Sequence, residues 1–164
     1  MIQLNKQHLQ IIFSHAESTY PEECCGVILG NLESDTRSVK PEAYRKTVVE
    51  IIPTQNAWNS EAAGDFHSSD GDRSKKRRYT IAPQDMLQLQ KASREKNLNI
   101  IGIFHSHPDY RATPSEFDRN CAWQEYSYII VSVQKGRAGD INSWVLDDNS
   151  VFQQEELRVM GERG

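Results

Sequence analysis

A chain of 164 residues has room for one hydrophobic core and not for two. Its formal charge of −4 gives it no general affinity for nucleic acid, and no apolar run approaches the roughly 18 residues a membrane span needs. Three cysteines, two of them adjacent at Cys24 and Cys25, make neither a disulfide framework nor a thiolate metal site, and they point to a reducing, cytoplasmic compartment.

Met1 to Lys6 carries no charged-then-apolar targeting pattern. Within it, Ile2 to Leu4 is predicted as a short strand, and Asn5 as the cap of a helix whose apolar positions Leu9, Ile12, Phe13 and Ala16 follow helical spacing. Tyr20-Pro21 closes that helix. Cys25 to Leu29 reads as a buried strand ended by Gly30-Asn31, Glu33 to Thr36 as a turn, and Tyr44 to Ile52 as a strand stopped by Pro53. Two strands joined by a short polar turn predict an antiparallel pair.

Thr54 to Arg78 is the one long polar stretch, and a loop of this length inside a compact domain is functional or disordered. Its basic run, Lys75-Lys76-Arg77-Arg78, has no aromatic interleaving and follows acidic residues, so a solvated loop end is expected rather than a nucleic-acid patch. Docking of an acidic partner stays open. Asp70-Gly71-Asp72 lacks the ligand spacing of a calcium loop, and His67 is expected to be exposed. Tyr79 to Ile81 is a short strand candidate, and Pro83 opens a helix with Met86, Leu87, Leu89 and Ala92 that ends near Asn97.

The richest stretch runs from Ile100 to Cys121. The apolar run Ile100 to Phe104 predicts a buried strand leading into His105 and His107, which, two apart, project from the same face. Pro108 ends the ladder because it has no N–H to donate. Thr113-Pro114-Ser115-Glu116 reads as a capping residue, a first-turn proline and a glutamate three residues after the cap, which puts Ser115 and Asp118 on one face of a first helical turn. Two imidazoles and one carboxylate make a three-ligand zinc set with a fourth position left for water. Cys121, Ala122 and Trp123 are expected to pack the inner side of this helix, with Cys121 a core residue rather than a ligand. Tyr128 to Val133 is a further buried strand. Gly136 to Asp140 is a turn, Ile141 to Leu146 pairs back, Asp147-Asp148-Asn149 turns again, and a last strand runs from Val151 to about Leu157 before Gly161 to Gly164 frays. Strands mixed with three helices predict a single α/β domain over residues 1–164 with a curved mixed sheet flanked by helices.

The pattern His105-x-His107-Pro108, six residues, Ser115-x-x-Asp118 resembles the signature of the JAMM (MPN+, Mov34/PAD-1-type) zinc metalloproteases, in its compact prokaryotic form. That family also carries a glutamate far upstream, and Pro21-Glu22-Glu23-Cys24-Cys25-Gly26 is similar to its Pro-x-Glu-x-Cys-Gly element, with Glu23 in register and Glu22 out of it. The resemblance implies a JAB1/MPN-like fold with a cytidine-deaminase-like core and one zinc ion per chain on His105, His107 and Asp118. It implies Glu23 as the base that contacts water and not metal, and Ser115 as the donor to the oxyanion. The implied reaction is amide or isopeptide hydrolysis after the C-terminal Gly-Gly of a ubiquitin-like or sulfur-carrier protein, for example releasing cysteine or a conjugated amine. Two other readings stand beside it, a non-catalytic MPN-type scaffold and a DNA-repair-associated relative. The intact set of five positions argues against the first, and the Pro21-to-Gly26 element with the acidic net charge argues against the second.

Overall fold

The computed structural model describes residues 1–33, 45–59 and 74–161. Its elements in chain order are β1 (Ile2–Asn5), α1 (Lys6–Thr19), β2 (Cys25–Glu33), β3 (Arg45–Thr54), α2 (Pro83–Glu95), β4 (Asn99–Pro108), α3 (Glu116–Asn120), β5 (Ser127–Gln134), β6 (Arg137–Leu146), β7 (Phe152–Glu155) and β8 (Leu157–Met160). The strands form one mixed eight-stranded sheet in the order β7-β6-β5-β4-β2-β3-β1-β8, which is the expected class. Expectations for residues 34–44, for the loop interior that holds His67 and Asp70-Gly71-Asp72, and for the last three residues lie outside the described residues.

Asn5 caps α1 as its side chain predicts. Its Oδ1 accepts from the His8 amide at 2.8 Å while His8 Nδ1 accepts from the Asn5 amide at 3.3 Å, so two otherwise unpaired amides are satisfied reciprocally. The helix buries Ile12 and Ala16, which join Ile28 of β2, Ile51 of β3, Phe104 of β4 and Ile129 of β5 in one core. β2 and β4 form the antiparallel centre, and β4 runs parallel to β5, so that β4 is paired on both sides as far as His105 and with β5 alone beyond it. Register breaks on both sides of β2, at Ile28/Leu29 against β4 and at Leu29/Gly30 against β3, bend the sheet at its middle.

Several local expectations are corrected. β3 does not stop at Pro53 but continues to Thr54, with Pro53 opposite Gly26. β1 pairs β3 only at Lys46 and Thr47, so the missing proline N–H falls where that side of β3 has no strand to serve. Tyr79 to Ile81 is not a strand, because the backbone of Thr80 is committed to the Asn56 side chain and the Ala57 amide. The β5–β6 turn is tighter than Gly136 to Asp140: Lys135 and Gly136 both sit at positive φ, 49° and 86°, and make a two-residue hairpin turn with β6 starting at Arg137. The last strand is two strands. β7 pairs with β6 at one edge of the sheet and β8 pairs in parallel with β1 at the other, with Glu156 alone between them. The sheet therefore curls until its edges are spanned by a single residue.

Candidate metal centre

His105 and His107 stand at the end of β4 and are both buried, with Asp118 and Glu23 equally enclosed. His105 Nε2 and His107 Nε2 are 3.1 Å apart. Asp118 places Oδ1 3.2 Å from the first and Oδ2 3.1 Å from the second. Donors on a tetrahedral zinc, at about 2.0–2.1 Å from the ion, lie about 3.3 Å from one another. The three side chains thus come together as a candidate ligand group, with one ligand atom from each lying within 4.8 Å of the others.

Neighbouring groups orient them. His107 Nδ1 lies 2.8 Å from the Arg111 carbonyl, so that nitrogen carries the proton and, in the neutral ring, Nε2 presents a lone pair to the cluster. His105 is stacked on Tyr79 with ring centroids 4.4 Å apart, and burial pushes its pKa down toward the neutral form that binds metal. Burial opposes the charge on Asp118, but the two imidazoles and their hydrogen bonds outweigh it and keep the carboxylate ionised. Its orientation comes from the start of α3. The Ser115 amide donates to Asp118 Oδ2 at 2.9 Å and the Asp118 amide donates to Ser115 Oγ at 3.1 Å. The cap of α3 is therefore Ser115, not Thr113, and Pro114 lies before the helix rather than at its first position. The reason is that two capping boxes overlap here, and the one closed by the buried Asp118 prevails over the one closed by exposed Glu116.

Glu23 sits between α1 and β2, with Oε1 3.9 Å from His107 Nε2, adjacent to the ligand set and outside it. Burial, then the charge of Asp118, raise its pKa well above the usual carboxylate range, while Arg77 pulls it back. Among the described residues, Glu23 Oε2, His105 Nδ1 and Asp118 Oδ1 are buried without a hydrogen-bond partner. Two buried imidazoles and the Asp118 carboxylate, with its orphaned Oδ1, make a donor set that a divalent cation would satisfy, with Glu23 beside it. A cavity of about 30 Å³, lined by Glu23, His107, Ser115, Tyr110 and Arg77, opens at this point; that is room for one water.

The residues that hold Glu23 in place gave no signal in the sequence. Its amide donates to the Lys75 carbonyl at 2.7 Å, and Asn56 Nδ2 donates to both the Glu23 carbonyl, at 3.0 Å, and the Arg78 carbonyl, at 2.9 Å. The Cys24 amide donates to Ser106 Oγ of β4 at 2.8 Å. Arg78, expected in a solvated loop end, is 4% exposed and lies over the rings of Trp58 and Phe117, at 5.5 and 4.9 Å. It ties the end of the long polar segment to the helix that carries Asp118. In contrast, α3 stops at Asn120, Cys121 is exposed and Trp123 is 69% exposed, so neither packs inward as expected. Trp123 instead borders a groove of about 670 Å³ with Tyr79, Met86, Phe117 and Tyr126. The groove shares Tyr79 and Phe117 with the surroundings of His105 and Asp118.

Among known proteins, the chain is 27% identical over 134 residues to tail tip assembly protein K of Escherichia phage N15, covering 81% of this chain and 42% of that protein. It is 29% identical over 130 residues to the human Lys-63-specific deubiquitinase BRCC36, covering 71% and 39%. It is 25% identical over 142 residues to the CysO-cysteine peptidase of Mycobacterium tuberculosis, covering 86% and 80%. The chain thus spans half or less of the length of the first two. A solution structure of a Desulfitobacterium hafniense protein superposes with a TM-score of 0.75 at 24% identity, covering 99% of this chain and 94% of that one, and shows the same fold. Residues 5–147, which include the whole His105, His107, Asp118, Ser115 and Glu23 constellation, match the family of prokaryotic homologs of the JAB domain, and the chain belongs to that family.

Proposed function

We propose that the chain is a zinc-dependent hydrolase of amide or isopeptide bonds that cleaves after the C-terminal Gly-Gly of a ubiquitin-like or sulfur-carrier protein. The observation that carries this reading is the buried Glu23 carboxylate, whose Oε1 stands 3.9 Å from His107 Nε2, beside the group formed by His105, His107 and Asp118. His105, His107 and Asp118 hold one zinc ion per chain. When bound, the ion polarises a carbonyl and lowers the pKa of a water from 15.7 toward about 7.

Glu23 does the proton work. It takes a proton from the attacking water and returns it to the leaving nitrogen; the water oxygen joins the carbonyl carbon and the C–N bond breaks, giving a carrier carboxylate and a free amine. Burial, by raising its pKa, makes Glu23 a stronger base than an exposed carboxylate. Ser115 Oγ already accepts from the Asp118 amide, which leaves its hydroxyl proton to donate to the oxyanion that develops on the substrate. The groove beside Tyr79 and Phe117 has room for an extended carrier tail. The deubiquitinase and CysO-cysteine peptidase relatives support this substrate class. The buried thiols of Cys24 and Cys25 fit a cytoplasmic setting.

The test is incubation of the purified protein with Gly-Gly-ended adducts of ubiquitin and of a sulfur-carrier protein, with and without a chelator, followed by mass measurement. Loss of the adduct mass that the chelator stops and zinc restores is the expected result. No cleavage of any adduct by a zinc-loaded protein refutes the proposal.

A further inference from the structure

Hydrolysis at Gly-Gly leaves open what amine departs. An amino acid joined through its α-amine leaves with a free carboxylate, whereas a lysine side chain leaves with none near the broken bond. The two bonds from amide nitrogen to carboxyl carbon, about 1.46 and 1.52 Å long, hold that carboxylate within about 4 Å of the nitrogen. Glu23 must reach the same nitrogen. A residue that recognises the carboxylate must therefore share the cavity of Glu23.

Arg77 does share it. Arg77 lines the small cavity together with Glu23, His107 and Ser115, and its charge acts directly on Glu23. Its guanidinium carbon lies 5.2 Å from the centre of the Tyr110 ring, which lines the same cavity, and that of Arg111 lies 5.7 Å from that ring. Among the described residues neither guanidinium makes an ion pair. The nearby acid, Asp109, is already committed: its Oδ2 accepts from Tyr20 Oη at 2.6 Å and its Oδ1 from the Lys135 amide at 2.8 Å. The backbone around Arg77 is fixed from both sides, since Lys75 accepts from the Glu23 amide and Arg78 from Asn56. Arg77 thus presents on an exposed side chain a guanidinium that makes no ion pair among the described residues, beside the group that protonates the leaving amine.

We infer that Arg77 binds the α-carboxylate of the leaving amino acid, so that the preferred substrate is a carrier-Gly-Gly–amino acid adduct rather than a lysine isopeptide. The inference rests on the Gly-Gly hydrolase reading. Three substrates built on one carrier test it, with the Gly-Gly joined to the α-amine of cysteine, of cysteinamide, or to the ε-amine of a lysine in a peptide. A charge-assisted bidentate contact predicts that the free acid is cleaved with a kcat/KM about ten- to hundredfold above the amide. In Arg77→Gln that ratio falls to about one, and in Arg77→Lys, which keeps the charge without the fork, it takes an intermediate value. Equal rates on acid and amide by the unaltered protein overturn the inference while leaving the hydrolase reading intact, as does a ratio unchanged in Arg77→Gln. Cleavage of none of the three overturns both.

Discussion

Replacing Glu23 with glutamine removes one ionisable oxygen and nothing else of the shape. The cost to metal binding follows from distance. His105 Nε2 and His107 Nε2 are 3.1 Å apart, and each has a different oxygen of Asp118 3.1–3.2 Å away, near the roughly 3.3 Å edge of a zinc tetrahedron, whereas Glu23 Oε1 is 3.9 Å from His107 Nε2. Glutamine should therefore leave zinc at one ion per chain. The cost to folding is also small, since Glu23 Oε2 has no partner to lose and burial and Asp118 already disfavour its charged form; the melting temperature should change little. The cost to catalysis is that of a missing general base, about 10²–10⁴ in kcat, or about 2.7–5.5 kcal/mol of barrier at 1.36 kcal/mol per tenfold. Metal content by mass spectrometry, a thermal melt and adduct turnover on one preparation measure all three. Full activity in Glu23→Gln, or loss of zinc with it, refutes the separation of base from ligands.

Four further outcomes follow from the same geometry. Asp118→Ala should lose both bound zinc and turnover, as should His105→Ala, with chelator-treated protein of the natural sequence as the matching control. Ser115→Ala should retain zinc but lower kcat about 10²–10³-fold through the missing oxyanion donor, and lose about 1 kcal/mol of stability through the missing cap of α3 in a denaturant titration. Gly26→Ala should destabilise by about 1–3 kcal/mol, because a Cβ there meets Phe104 Cε1 at 2.2 Å and the Ile52 carbonyl at 2.6 Å; a midpoint in urea equal to that of the natural protein contradicts this. Met86→Glu, in the wall of the apolar groove, should raise KM for a whole carrier adduct while leaving a short Gly-Gly peptide unaffected, and equal effects on both exclude the groove as a carrier contact.

The ligand set was legible because each of its devices is local. Period-two alternation aims His105 and His107 together, and a capping box marks a helix start nearby, although the pattern places it at Thr113 and Glu116 and the structure closes it at Ser115 and Asp118. Glu23 was legible only through family likeness, since nothing in Pro21 to Gly26 states which distant strand it meets. The clamp around it was not legible. Asn56 reaches residues 33 and 22 positions away in the chain, and Arg78 in a run of four basic residues has the composition of a solvated turn until Trp58 and Phe117 enclose it. The same limit hid the break at Glu156, where one continuous stretch serves opposite edges of the sheet.

That break makes the end of the chain a clasp for its beginning. β8, outside the stretch shared with the family, holds all four residues of β1, whereas β3 grips only two. β1 passes without a linker into α1, and α1 delivers the chain to Glu23. Shortening the protein at its far end should accordingly unfasten the segment that presents the base, while the histidines, His105 between β2 and β5 and His107 against β5, stay where they are.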